Sequence, residues 1–186
     1  GYYPEALELV KGIAEGSGIS FEESFALKCY TEIAVGYPGL AGGMCTSFAV
    51  RGPVTADGNV IMGQNVDWHP DAPVDLLRIK HADGMEQLAL CLLGSSLYYL
   101  NSAGLCNCAN LTLCPAGAIK NHIPLAIYLW ETMRRDSMDR AMDILKASAR
   151  GFGYYHLVDE AGNMAGIESI DSGYTLMEPE NGMMVH

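Results

Sequence analysis

The sequence predicts an α+β chain, a four-layer αββα sandwich in which two largely antiparallel sheets pack face to face with helices outside. Three observations carry this. Helical and strand-like segments come in blocks, in the order helices, strands, helices, strands. Short turns at Asp57-Gly58, Asp83-Gly84 and Asn101-Ser102-Ala103-Gly104 join the strand-like runs into hairpins, hence antiparallel pairing. The run 104–111 is apolar on both faces, so it should be covered on both sides. No repeat, low-complexity tract or linker divides the 186 residues, which read as one domain spanning 1–186.

Residues 4–17 carry Leu7, Val10, Ile13 and Ala14 at helical spacing, and Gly16-Ser17-Gly18 closes the segment. Ser20 with Glu23 is a capping-box pattern. It starts a helix to about Ala34, with Phe21, Phe25 and Cys29 on the buried stripe. Tyr37-Pro38-Gly39 breaks that helix, and a Gly-rich loop leads onward. Strands 45–52 and 59–65 form a first hairpin, 74–81 and 85–93 a second, 97–100 and 104–111 a third. Pro124 opens the next helix, with Ile123, Ile127 and Trp130 along one side. Ser137 caps another, which buries Met138, Ala141, Met142 and Leu145 and ends near Gly151. Strands return at 153–158, 163–170 and 173–178, which leaves the second sheet short of strands.

The formal net charge of −11 lacks the basic footprint that nucleic-acid binding needs. No signal-peptide pattern or apolar run of membrane-spanning length is present, so no membrane partner is expected. The six cysteines do not form the framework of a small secreted domain and read as reduced thiols of a cytoplasmic protein. Cys106, Cys108 and Cys114 lack the histidine spacing that would complete a zinc set. No metal or other cofactor is expected.

The stretch with most chemistry runs from Gly43-Met44-Cys45-Thr46-Ser47 to Gly63-Gln64-Asn65-Val66-Asp67-Trp68. A hairpin of this length carries Asp67 back to the start of the first strand and sets a carboxylate beside the Cys45 thiol. A lone cysteine in an apolar strand is ordinarily a small buried hydrophobe. A nucleophilic one needs a base or a cationic neighbour. Asn65 shares a strand face with Asp67. Arg51, on the Cys45 face of a regular strand, could pair with Asp67, meet a substrate carboxylate or stay at the surface. Trp68, Tyr98 and Tyr99 are candidates for a pocket or for the core. His69, His81, His122, His156 and His186 show no local pairing with the cysteine.

These stretches, with Asn101-Ser102-Ala103-Gly104-Leu105, Asn110-Leu111 and Tyr155-His156-Leu157-Val158-Asp159, resemble the acyl-coenzyme A:6-aminopenicillanic acid acyltransferase family. That family belongs to the N-terminal-nucleophile (Ntn) hydrolases and is related to choloylglycine hydrolases. The resemblance implies an autoprocessing enzyme without cofactor, acting on a small-molecule amide or acyl substrate. Its precursor cuts itself between Met44 and Cys45. The freed Cys45 α-amine then serves as base, Asp67 orients that amine, and Asn110 donates to the oxyanion. Asn65, Arg51 and Trp68 would support the site or bind substrate.

Residues 1–44 would be a propeptide-like helical segment and 45–186 the nucleophile-bearing part. The cleaved halves are expected to stay associated, and a homo-oligomer is left open. Three departures stand out. Met44 occupies the usual glycine position. Gln64 replaces the arginine of choloylglycine hydrolases. The sequence stops at Val185-His186, where the family continues, so the chain reads as a piece of a longer protein or a short member. A second expectation follows from these departures: a catalytically silent binding or assembly subunit that keeps the fold.

Overall fold

The computed structural model describes residues 3–36, 44–92, 94–112, 123–148, 153–170 and 173–186. In chain order the elements are helices α1 (Pro4–Ser17), α2 (Phe21–Lys28) and α3 (Tyr30–Gly36). Strands β1 (Met44–Val50), β2 (Ile61–Asp67), β3 (Val74–Lys80), β4 (Glu86–Leu92), β5 (Ser95–Asn101) and β6 (Cys106–Asn110) follow. Then come α4 (Leu125–Thr132), α5 (Met138–Ser148), β7 (Tyr154–Val158), β8 (Met164–Ile170), β9 (Gly173–Met177) and β10 (Met183–Val185).

The described strands form two antiparallel sheets, a seven-stranded one in the order β3-β4-β5-β6-β7-β8-β9 and a three-stranded one in the order β10-β1-β2. Strand alternation explains how they stack. On β6 and β7 one set of side chains, including Leu105, Ala109, Tyr155 and Leu157, packs with α1, α4 and α5 in the main apolar core. The other set faces the three-stranded sheet: Cys108 Sγ meets the Gly63 carbonyl of β2 at 3.6 Å. Val158, Met164, Ala49 and Met184 close a smaller core between the sheets. The expected mixed fold with antiparallel sheets is observed, and the described residues build three of its layers. As the sequence requires, β6 is covered on both faces. The small sheet covers only part of the large one, and Leu76, Leu88 and Leu100 on β3–β5 remain 68%, 42% and 46% exposed.

The N-terminal helices pack differently from the pattern expected. The helix expected from Ser20 to Ala34 is divided at Cys29, where φ is −95° and ψ 10°. The capping box of Ser20 and Glu23 is present. Phe21 and Phe25 stack on each other at 6.2 Å but stand exposed, and Ser24 and Lys28 face inward instead. The reason is specific hydrogen bonding: Ser24 Oγ donates to the Val10 carbonyl at 2.9 Å, and Lys28 Nζ to the Gly94 carbonyl at 3.1 Å. A buried ammonium or hydroxyl is tolerated where it finds such an acceptor. Burial also lowers the Lys28 pKa from its ordinary value. On α1, Ala6, Val10 and Ala14 are buried while Leu7 is exposed.

The other elements follow the expected pattern within a few residues, except that β10 has no counterpart in the sequence-based reading. The break at Tyr37-Pro38-Gly39, residues Cys114 and His122, and the helix end near Gly151 lie outside the described residues.

The turn after β5 is held by one side chain. Asn101 Oδ1 accepts from the Ala103 and Leu105 N–H groups, both at 3.0 Å, and Gly104 takes φ 79°, which favours glycine. Asn101 Nδ2 donates to the Met133 and Arg135 carbonyls beyond α4, both at 2.9 Å. Replacing Asn101 by Ala takes this partner from the Ala103, Leu105 and Arg135 groups, while the Met133 carbonyl keeps Gln87 Nε2 at 2.7 Å. The expected cost is about 3 kcal/mol, read from the urea midpoint. A change below about 1 kcal/mol would show that the turn holds without it.

Candidate active site

The hairpin of β1 and β2 sets the site. Its register pairs Cys45 with Val66, Met44 with Asp67 and Ser47 with Gln64. Cys45, Ser47, Gln64 and Val66 therefore share the face toward the seven-stranded sheet, and Asn65 and Asp67 lie on the exposed outer face. Asp67 ends up at the correct end of the sheet, beside the Met44–Cys45 bond, but not beside the thiol as expected. Asn65 Nδ2 donates to Asp67 Oδ1 at 2.7 Å on that outer face. Phe48 lies across Gly63, where a Cβ would stand 2.4 Å from the ring, so any other residue there would make the Phe48 ring move aside.

Cys45 opens onto a cavity of about 70 Å³. Tyr30, Val66, Trp68, Leu97, Tyr98 and Leu111 line it together with Asn110, and no charged side chain does among the described residues. Trp68 and Tyr98 are thus pocket residues, while Tyr99 is buried in the core. Helix α3 supplies Tyr30, Thr31 and Ala34 to the wall, a contribution that the sequence did not signal.

Burial raises the Cys45 pKa above its ordinary value, and the Asp67 charge adds to this; hydrogen bonds from the Leu111 N–H and the Tyr98 hydroxyl offset it in part. The thiol is therefore protonated at neutral pH and needs a base.

Asn110 faces the same cavity from β6. Its Oδ1 accepts from Gln64 Nε2 at 3.0 Å, and its Nδ2 donates to the His186 carbonyl and to His186 Nδ1, both at 2.9 Å. The His186 ring stacks on Tyr154 at 3.9 Å, and its Nε2 lies 4.0 Å from Glu168 Oε1. Arg51 lies elsewhere. The β1–β2 register puts it at the far end of the hairpin from Asp67, and its Nη1 donates to the Gly162 carbonyl at 2.6 Å. Of the alternatives open for Arg51, this excludes the pairing with Asp67: Arg51 ties β1 to the turn between β7 and β8.

The geometry invites comparison with known proteins. The chain aligns with a variant of conjugated bile acid hydrolase from Clostridium perfringens at a TM-score of 0.50 and 12% identity, over 75% of this chain and 52% of that one. The likeness is one of fold, a mixed α+β arrangement with antiparallel sheets. A second variant of the same protein gives a TM-score of 0.49 at 12% identity, over 76% of this chain and 53% of that one. Penicillin V acylase from Agrobacterium tumefaciens gives 0.40 at 15%, over 77% and 44%. The chain thus spans about half the length of the bile acid hydrolase structures. No family model matches the sequence. No curated protein matches it either. Among the described residues no helix is long and apolar enough to cross a membrane, and no group of three metal-ligating side chains is found.

The layer between the two sheets behind Cys45 also holds His156, fully buried, with no hydrogen-bond partner for either ring nitrogen among the described residues. Burial, with His186 nearby, pushes its pKa down from 6.5 to about 4. The unfolded imidazole takes up a proton below about pH 6.5, and the folded one only near 4, so the unfolded state binds more protons between them. Stability should fall as pH drops through that window, by up to roughly 3 kcal/mol from this group. Urea midpoints near neutrality and at about pH 4.5 test it: His156→Gln should remove that part of the decline. Equal declines in both proteins would show that His156 does not cause it.

Proposed function

We propose that the chain is, or forms part of, an Ntn cysteine amidohydrolase or acyltransferase acting on a small apolar acyl amide or thioester. One observation carries the reading: Cys45 and Asn110, the nucleophile and oxyanion donor that the family resemblance implies, open onto the same uncharged cavity. Cleavage of the Met44–Cys45 bond would free an α-amine on the strand opposite Asp67. An amine with a pKa of about 8 can take the thiol proton near neutrality. The sulfur then attacks the acyl carbon. The carbon–nitrogen bond breaks, and the leaving nitrogen receives the proton through the amine. Water or an acceptor amine releases the acyl group and restores the thiol. Asn110 N–H stabilises the oxyanion, a contribution of roughly 3–4 kcal/mol where one such donor has been removed elsewhere.

Self-cleavage requires the Cys45 thiol to attack the Met44 carbonyl. Met44 starts a regular strand, and neither residue has positive φ, so the backbone takes ordinary strand angles at this bond. If cleavage occurs, the two parts would stay together. Val10, Ser24 and Lys28 are buried, Leu27 accepts from Ser95 Oγ at 3.1 Å, and Glu32 accepts from the Leu125 N–H at 2.6 Å. The alternative of a silent binding subunit draws on the raised Cys45 pKa and on the engagement of both Asn110 N–H bonds with His186.

Intact mass over time, then turnover of aryl- and alkyl-acyl amides, decides between them. Cys45→Ala should abolish both cleavage and turnover. Asn110→Ala should lower kcat on the order of 100-fold with KM little changed. Asp67→Asn should slow processing or turnover with only a small change in melting temperature. Cleavage that persists in Cys45→Ala, or turnover that does, would refute the mechanism. An uncut protein with no turnover would favour the binding subunit.

A further inference from the structure

The hydrogen bonds around Asn110 fix which way its amide points. The Ala109 backbone N–H, which can only donate, bonds to Gln64 Oε1 at 3.1 Å. Gln64 Nε2 must then be the side that meets Asn110, and its two donors reach the Asn65 carbonyl and Asn110 Oδ1, both at 3.0 Å. Asn110 therefore turns its nitrogen to His186. An amide nitrogen only donates, so His186 Nδ1 is the acceptor and the ring proton sits on Nε2, on the side of Glu168. The polarity of the whole series follows from one backbone N–H.

Resting on the proposed role of Asn110, we infer that Gln64 and His186 are its positioning residues: Gln64 holds the amide oxygen, and neutral His186 holds the N–H that an oxyanion takes over. Two facts support the exchange. The His186 carbonyl, Asn110's other acceptor, already receives the Ser47 N–H at 2.9 Å within the β1–β10 pairing, so it is fixed in place. The imidazole contact is a side-chain contact and is the one that can be released. The titratable groups around the His186 ring are Glu168 on β8 and Tyr154 and His156 on β7. Burial lowers the His186 pKa and Glu168 opposes this. Protonated His186 would present Nδ1–H to the Asn110 N–H, and the contact would break.

Gln64→Glu tests the polarity. A carboxylate still accepts from the Ala109 N–H but cannot donate to Asn110 Oδ1, so the amide loses its anchor. Relative to wild type at the same pH, kcat should fall on the order of 100-fold with KM nearly unchanged. The ratio should climb back as pH falls and the introduced carboxyl gains the proton it needs to donate. A merely structural role would give a flat ratio. In parallel, the Asn110 side-chain NH₂ resonances, assigned by their loss in Asn110→Asp, should titrate with His186 and stay flat in His186→Gln. A kcat ratio near one at every pH, or resonances that do not move in wild type, would overturn the inference. If wild type shows no Cys45-dependent turnover, the functional reading fails, and the resonance titration alone decides whether the positioning stands.

Discussion

The hydrogen bonds between Gln64, Asn110 and His186 are the constraint on which the site depends. They join three strands of two different sheets, β2, β6 and the residue that follows β10. Apolar packing between the sheets, through Ala49, Met62, Val158 and Met184, sets their distance but is non-directional. The polar bonds add register. Asn110 is only 3% exposed, so an unmatched donor or acceptor there would cost about 1–3 kcal/mol. A slip of β2 along β1 would break this set and also turn Gln64 and Val66 outward. Packing allows two sheets to stack; the polar bonds select one arrangement of them.

Much of this was legible in the sequence. Turn chemistry located the hairpins, helical periodicity gave α1 at residues 4–17, and the two-sided apolarity of 104–111 gave a central strand. Cys45 and Asn110, singled out from the sequence, line one cavity with Trp68 and Tyr98, which the sequence left open between pocket and core. The faces of the site were not legible. Whether Asp67 lies beside the Cys45 thiol or behind it depends on whether Cys45 pairs with Val66 or with Asp67. The connection through residues 51–60, not the pattern of either strand, decides that parity. Arg51 failed for a related reason: β1 ends at Val50, so a face counted along a regular strand does not extend to it. Glu168 belongs to a stretch that carries the family resemblance, but its place beside His186 emerges only when β8 and the end of β10 come together over β7.

The N-terminal helices show the other limit of periodicity. Counting apolar residues puts Phe21 and Phe25 inward. In the structure, Ser24 and Lys28 occupy that face, where each donates to a backbone carbonyl and so keeps its own buried polar group paired. A polar side chain that finds a buried acceptor can therefore take the inner face while a ring finds its partner at the surface. The consequence reaches the site. Helix α3, which follows directly, forms one wall of the Cys45 cavity, so on the proposed reading the segment ahead of the cysteine would help to shape the acyl pocket.

Asp67 changes meaning with the state of the Met44–Cys45 bond. In the intact chain its charge opposes ionisation of Cys45, on top of the cost of burial, and no cation near the sulfur compensates among the described residues. An α-ammonium created on Cys45, on the strand opposite Asp67, would neutralise that charge and favour the thiolate. One carboxylate would then keep the thiol quiet before cleavage and hold the new base after it. Placement on the outer face suits both tasks: Asp67 can reach the backbone nitrogen without entering the acyl cavity, where a charge would be costly to bury. On the proposed reading, the register that put Asp67 behind the thiol is what separates the base from the apolar pocket in which the acyl group would bind.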